Sequence, residues 1–442
     1  MEGVFTMKEK QLEVEDKPLI YVPPKKRTIF FAIMYGLFVI DFISRVGINA
    51  IFPVVQADLG LSDMEVGMMG SVVLLGMAIL VLPVSFLGEK YSPKKAISLS
   101  ALVWSVGTLL SGMASNFSLL LMSRFMVGAG NSAYAPLSNS LITSMYSKKD
   151  WGKKIGIYNT AMTLGMALGA IVFANLADNF GWRVAFYTVG VISILLTIAS
   201  LSLPDSKKMI EKQCSEEDHE ISGEKNKAEV NLKIALKVIG KNRSLIGICF
   251  GAGLMALVMQ GILSWLSIYF VREMGMSIGL AASLISVLAL ISALGYPLGG
   301  MIMDKWYMYD KRSRVFLPVI CITIATVCFL VGLQFKLVPV IFLASFCLTT
   351  ANTSYHVSTQ ELVPSWFKSV SYGVYVLFIQ LFGAVGPLLT GVLSEKMGLT
   401  QALSAIQVLL VVASVVFFLT SRVYVSDFMK ARKLESESGL CE

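Results

Sequence analysis

The stretch IFFAIMYGLFVIDFISRVGINAIFPVV, residues 29–55, is apolar almost throughout yet carries Asp41 and Arg45 near its middle. Its length suits a membrane helix, since roughly 20 residues at about 1.5 Å rise cross the hydrocarbon core of a bilayer. An ionised side chain at the centre of such a helix costs roughly 2.5 to 3.5 kcal/mol on insertion scales, so charges there are kept for a use. Asp41 and Arg45 lie four apart on one helical face with the acid N-terminal, the order in which such a pair attracts best. Either the pair satisfies itself and helps to pack the helix, or it lines a polar cavity.

The rest of the chain has the same character. Of its 442 residues 55% are hydrophobic and only 15% charged, against about a quarter in soluble domains, and the mean hydropathy is +0.70. This is an integral membrane protein. The net charge of +8 comes from basic residues clustered between apolar runs, where orientation in the membrane explains them, and nucleic-acid binding is not indicated. The six cysteines, Cys214, Cys249, Cys321, Cys328, Cys347 and Cys441, have neither paired nor metal-ligand spacing, so no disulfide framework and no metal site follow. Residues 1–28 are polar, with Lys25, Lys26 and Arg27 before the first span and no cleavage site, which predicts a retained anchor.

Apolar runs recur at about 29–55, 65–87, 95–115, 118–143, 154–177, 183–203, 244–270, 278–302, 315–334, 337–360, 369–393 and 400–423, which predicts an all-α protein of twelve transmembrane helices. Lysines and arginines crowd alternate loops: Lys90, Lys94 and Lys95, then Lys148, Lys149, Lys153 and Lys154, then Lys305, Lys311, Arg312 and Arg314, then Lys368. Arg183, Arg272, Lys336 and Lys396 stand alone in theirs, which predicts that both termini are cytoplasmic. Residues 204–243 turn to Lys, Glu, Asp and Ser and read as a cytoplasmic linker. The expected organisation is a cytoplasmic tail at 1–28, a six-helix bundle at 29–203, the linker at 204–243, a second six-helix bundle at 244–424 and a cytoplasmic tail at 425–442. Two echoes support a duplicated unit. The loop Ser85-Phe-Leu-Gly-Glu89-Lys90 is matched by Gly300-Met-Ile-Met-Asp304-Lys305, and Leu176-Ala-Asp-Asn-Phe-Gly181 by Leu393-Ser-Glu-Lys-Met-Gly398, at nearly the same separation. Such six-helix pseudo-repeats are expected of a secondary transporter that rocks one half against the other.

The acids and bases of the first echo are candidate latches: Glu89 with Lys90, and Asp304 with Lys305, could bridge to neighbouring helix ends through charge pairs that break on rocking. In the fourth span Arg124 precedes Gly128, Gly130, Asn131, Tyr134 and Pro136, at a depth similar to that of Arg45. Two guanidiniums then face one carboxylate, an excess that an anion would relieve; alternatively Arg124 caps backbone carbonyls. Gly128 and Gly130, Gly165 and Gly169, and Gly383, Gly386 and Gly391 suit close helix contacts. Polar candidates for a substrate wall are Asn131, Tyr134 and Asn159 in the first half, and Gln260, Trp265, Asn352, Tyr375 and Gln380 in the second. His356 could titrate near neutrality. There is no phosphate loop and no H-E-x-x-H motif, so neither an enzyme nor a cofactor is indicated.

With these residues laid out, the chain resembles the major facilitator superfamily over essentially its whole length. Glu89-Lys90-Tyr-Ser-Pro-Lys-Lys95 and its echo are similar to the superfamily's G-x-x-x-D-R-x-G-R-R signature, with Ser85 and Ser92 where glycines are expected, and Arg124 to Gly130 resembles its R-x-x-x-G-x-G segment. Trp104-Ser105, Phe117, Arg124, Gly128, Gly130 and Pro136 are most similar to the anion:cation symporters, which move organic anions such as sugar acids; the Spinster-like transporters share part of the pattern. Both groups usually carry an Asp-Arg pair in the first helix and a glutamate seven residues after the fourth-helix arginine, which the resemblance implies act in proton coupling. This chain has Ser44-Arg45, with its acid earlier at Asp41, and Asn131 in place of the glutamate.

The expectation is a multi-pass transporter of the inner (plasma) membrane, a monomer among lipids, that moves a small organic anion with protons by alternating access. In it Asp41 and His356 couple the proton, and Arg45 and Arg124 bind the anion. An exporter of amphiphilic compounds such as lipids or drugs is the alternative. The topology is testable directly. Reporters fused after Val425 or within residues 210–230 should be cytoplasmic and one near Ser115 external, whereas external labelling of Cys214 in intact cells would overturn the arrangement.

Overall fold

The computed structural model describes residues 20–132, 134–203, 205, 240, 242–364 and 368–437, with the side chains of 82, 85–91, 148, 149, 152, 368–370 and 434–437 left aside. In the first half the helices are α1 Pro24–Val46, α2 Ile48–Leu59, α3 Asp63–Tyr91, α4 Pro93–Gly112, α5 Phe117–Asn131, α6 Tyr134–Met145, α7 Lys148–Phe180 and α8 Trp182–Ser200. The second half contains α9 Arg243–Ile268, α10 Ile278–Ala293, α11 Gly295–Tyr307, α12 Ser313–Gln334, α13 Val338–Glu361, α14 Lys368–Met397, α15 Leu399–Ile406 and α16 Val408–Glu437. Among the described residues eleven helical stretches are long and apolar enough to cross a membrane. The remaining expected span, 118–143, is present as α5 and α6.

That break has a local cause. Pro136 has no N–H to offer the Ser132 carbonyl, and Ser132 instead turns back on Ala129, with its N–H and Oγ both donating to the Ala129 carbonyl at 3.4 and 2.8 Å. The first span is interrupted too, at Gly47, where the Ala50 N–H closes a tight turn on the Gly47 carbonyl at 3.1 Å. Helix starts are set by side chains that accept otherwise unpaired N–H groups: Asn116 from Leu119 at 2.9 Å and Asn242 from Leu245 at 3.0 Å.

Contacts divide the described residues into two compact units, one drawn from Met1–Ile51 and Leu75–Gly223, the other from Phe52–Leu74 and Glu224–Glu442. The first unit is built around Trp104, Tyr134, Tyr158, Phe38 and Met34, all buried. Its helices approach closely at the expected glycines: a methyl at Gly130 would stand 2.5 Å from the Trp104 nitrogen, and one at Gly165 would stand 2.6 Å from the Val39 carbonyl. In the second unit α9 packs along α14 and α16, and α12 along α13. Tyr355 stacks on Phe417 at 4.9 Å. The stretch 52–74 precedes the linker yet belongs to this second unit: the Leu388 N–H donates to Ser71 Oγ at 3.1 Å, and the Met64 N–H to Glu395 at 2.8 Å.

The second sequence echo has a matching geometry. Gly181 joins α7 to α8 with φ 87° and ψ 152°, and Gly398 joins α14 to α15 with φ 85° and ψ 155°, a region in which side chains other than glycine are strained. A Cβ at Gly398 would touch nothing within 4 Å, so Gly398→Ala isolates the backbone cost. It should lower stability by about 1–3 kcal/mol, read as a lower melting temperature of the detergent-purified protein, and an unchanged melting temperature would refute the strain argument.

Candidate functional site

The break at Gly47 leaves the last carbonyls of α1 without helical partners, and in hydrocarbon no water meets them. Arg124 of α5 does. Its Nη1 donates to the Ser44 carbonyl at 3.0 Å and its Nη2 to the Arg45 carbonyl at 2.7 Å, with the side chain 1% exposed. A cation at a helix C-terminus also opposes the negative end of the macrodipole. Both terminal nitrogens of Arg124 are thus committed to the backbone, and of the two roles read from the sequence the capping role is the one seen.

Arg45 is placed differently. It is half-buried, with Nη1 3.1 Å from Met77 Sδ and its guanidinium 4.1 Å from the centre of the Phe42 ring. Among the described residues it forms no ion pair with Asp41, so the self-satisfied i,i+4 pair expected from spacing does not close. A sulfur and a ring face offset a guanidinium only weakly, so Arg45 is a cation without a carboxylate partner among the described residues. Asp41 is 3% exposed, with Asn131 facing it. Neither Asp41 Oδ1 nor either amide atom of Asn131 has a hydrogen-bond partner. Tyr134 adjoins this pair but its hydroxyl is used, donating to the Met34 carbonyl at 2.7 Å. Asn159 is exposed on α7.

In the second unit Asn352 links two phenols, donating to Tyr296 and accepting from Tyr375, each at 3.4 Å. His356 lies against the rings of Tyr375 and Tyr372, with centroids 5.1 and 5.6 Å away. Trp265 is fully buried with Nε1 donating to the Pro387 carbonyl at 3.0 Å, which makes it a packing residue here. Gln260 lies beside Gly383, and Gln380 is half-buried on α14. Among the described residues no group of three or more His, Cys, Asp or Glu could hold a metal ion.

A family model described as Major Facilitator Superfamily matches residues 34–387. The chain belongs to the major facilitator superfamily. It is a multi-pass membrane transporter and not an enzyme. It is 24% identical over 388 residues to the hexuronate transporter of Bacillus subtilis (strain 168), covering 85% of this chain and 89% of that one. It is 25% identical over 340 residues to a probable L-galactonate transporter of Escherichia coli (strain K12), covering 74% of each. In fold it is similar to a bacterial homologue of the human lysosomal transporter Spinster, solved inward-facing and unoccupied: TM-score 0.81, 21% identity, 92% of this chain and 99% of that one.

The superfamily's signature loop carries charges, and the structure gives the acid of its second copy a partner. Arg314 is the hub: it reaches Asp304 at 3.1 Å and clasps Glu361 through Nε at 3.2 Å and Nη2 at 3.0 Å, while the Tyr424 hydroxyl donates to Glu361 at 3.1 Å. Asp304 thus reaches a neighbouring helix end, while Lys305, the other latch candidate of this loop, is exposed and makes no ion pair among the described residues. The side chains of Glu89 and Lys90 lie outside the described residues. A second network, not anticipated, joins 52–74 to the rest of its unit. Arg272 grips both carboxylate oxygens of Asp63 at 2.8 and 2.9 Å, with Ser394 donating to Asp63 at 2.6 Å and Gln56 at 2.7 Å.

The capping geometry makes a prediction distinct from ligand binding. Arg124→Ala leaves two buried carbonyls without donors and should destabilise the protein by about 3 kcal/mol or more; Arg124→Lys should recover only part, having no planar fork. Substrate-free thermal unfolding is the measurement, and a wild-type midpoint for Arg124→Ala would show that the two bonds contribute nothing.

Proposed function

We propose that this transporter carries a small organic anion, a carboxylate or sugar acid, coupled to protons by alternating access. Arg45 holds the anion and Asp41 carries the proton. The observation that carries this reading is the separated pair: a half-buried guanidinium without a carboxylate partner, one helical turn from a buried carboxylate. Support comes also from the hexuronate and L-galactonate in the names of its relatives, both carboxylates that suit a planar guanidinium fork. Asn131 and Tyr134 of the first unit, and Gln260, Asn352, His356, Tyr375 and Gln380 of the second, are the polar residues proposed to contact substrate, each within its own unit.

The coupling follows from charge. An ionised Asp41 competes for the positive charge of Arg45 and repels an arriving anion, and protonation removes both effects. Substrate and proton therefore bind cooperatively, and by linkage the effect is reciprocal: lower pH tightens substrate binding and bound substrate favours protonation.

Uptake into proteoliposomes against a panel of hexuronates and aldonates, with and without a pH gradient, tests the proposal. Arg45→Ala should weaken binding by about 2–4 kcal/mol. Asp41→Asn, which mimics the protonated form, should keep exchange down a substrate gradient and lose accumulation on a pH gradient alone. Uphill accumulation by Asp41→Asn would move the proton to another group, His356 first. Thermal stabilisation by amphiphiles but by no sugar acid would replace the anion reading with an exporter of amphiphilic compounds.

A further inference from the structure

Beside Asp41 runs a set of buried polar groups that anion binding does not use. Tyr158 on α7 and Ser138 on α6 are both fully buried, yet neither the Tyr158 hydroxyl nor Ser138 Oγ has a hydrogen-bond partner. The Tyr158 ring is held firmly, stacked on Phe38 with centroids 4.7 Å apart and planes 6° from parallel. Its neighbour Tyr134 sits 5.9 Å from the same Phe38 ring and is pinned to the Met34 carbonyl. Ser138, one turn after Tyr134, faces both phenols. Phe38 and Met34 lie about one and two turns from Asp41 toward Pro24, the end of α1 next to Lys25, Lys26 and Arg27.

Packing alone does not account for these hydroxyls. A phenylalanine at 158 would stack on Phe38 equally well, and buried polar atoms are ordinarily satisfied by protein or by ordered water. Here Asp41 Oδ1, Asn131, Tyr158 and Ser138 make no bond of good hydrogen-bond geometry, although Asn131 adjoins Asp41, Ser138 adjoins Tyr158, and Tyr158 lies within electrostatic reach of Asp41.

We propose that Tyr158 and Ser138, bridged by water, form the path along which a proton moves between Asp41 and the Pro24 end of α1; this rests on the proton role given to Asp41 above. In the outgoing direction protonated Asp41 gives its proton to a bridging water. The Tyr158 oxygen accepts a proton from that side as its own O–H proton passes to the water at Ser138, and Ser138 repeats the exchange. Asp41 is left as a carboxylate, both hydroxyls are restored, and one proton leaves at the basic end; the reverse sequence reloads Asp41. The other groups facing Asp41 are Arg45 on its own helix, Asn131 on α5, and Tyr134 on α6, whose hydroxyl is already held by a carbonyl. Tyr158 and Ser138 relay the proton in this transfer and do not touch the substrate.

The experiment uses Tyr158→Phe, which keeps the stacked ring, with Ser138→Ala and Asp41→Asn beside it. Each is reconstituted in proteoliposomes with a hexuronate or galactonate that the wild type accumulates. Substrate exchange without a pH gradient and accumulation on a pH gradient are measured, the latter also in deuterium oxide. Both hydroxyl variants should exchange at the wild-type rate while proton-driven uptake falls about a hundredfold, the low side of what positioned proton-transfer groups contribute, and the deuterium effect should grow. Proton-driven uptake at the wild-type rate in both variants overturns the path, as does an equal loss of exchange and uptake, which marks a structural role. Asp41→Asn separates the two levels. If it accumulates substrate uphill, the assignment of the proton to Asp41 fails; if it does not, while Tyr158→Phe behaves as wild type, only the path fails.

Discussion

Two hydrogen bonds from one arginine hold the first unit in register. A helix broken inside a membrane exposes carbonyls that nothing in the lipid can satisfy, and Arg124 supplies both missing donors from α5. Because the bonds run to backbone atoms at Ser44 and Arg45, they fix how far α5 has advanced along α1. Asn131, two turns further along the same face, is thereby brought opposite Asp41. The break also ends α1 just beyond Arg45 and leaves that side chain against Met77 and Phe42.

The arrangement keeps opposite charges near each other without letting them pair. Asp41 is enclosed beside a neutral amide, Arg45 rests on a sulfur and a ring, and Arg124 is spent on the backbone. With Asp41 ionised the three sum to one positive charge, and with Asp41 protonated to two, so each protonation step changes what the cluster can hold. A closed ion pair would have removed that sensitivity.

Much of the fold was legible because membranes impose simple rules. Apolar length marks the spans, and the echo read between residues 176–181 and 393–398 as a duplication coincides with two glycines in the same positive-φ turn, a conformation that only glycine adopts freely. The assignment of partners was not legible. A guanidinium that caps carbonyls and one that waits for an anion are the same letter, so Arg124 and Arg45 looked alike. Lys305 follows Asp304 in sequence, but adjacent helical residues do not face each other, and Arg314 from the next helix takes the acid. Tyr158 and Ser138 carry no charge and no spacing to single them out from Asn159, Thr160, Asn139 and Ser140 beside them, and Trp265 was read for its polar edge when that edge serves only the Pro387 carbonyl. Arg272 was seen only as a lone charge in a loop, because its acid partner lies on a different helix far away along the chain.

The clasp between Arg272 and Asp63 differs from the others in its setting. The arginine side chain is 39% exposed while the carboxylate is 11% exposed, so one partner is bathed by solvent and the other is sheltered by Ser394 and Gln56. Attraction between such groups is screened over about 10 Å in 0.1 M salt and about 3 Å in 1 M salt. The grip on the stretch 52–74 is therefore exposed to the electrolyte around it in a way that the buried bonds of Arg124 are not, and the salinity of the surrounding water becomes a variable in how tightly this part of the molecule is held.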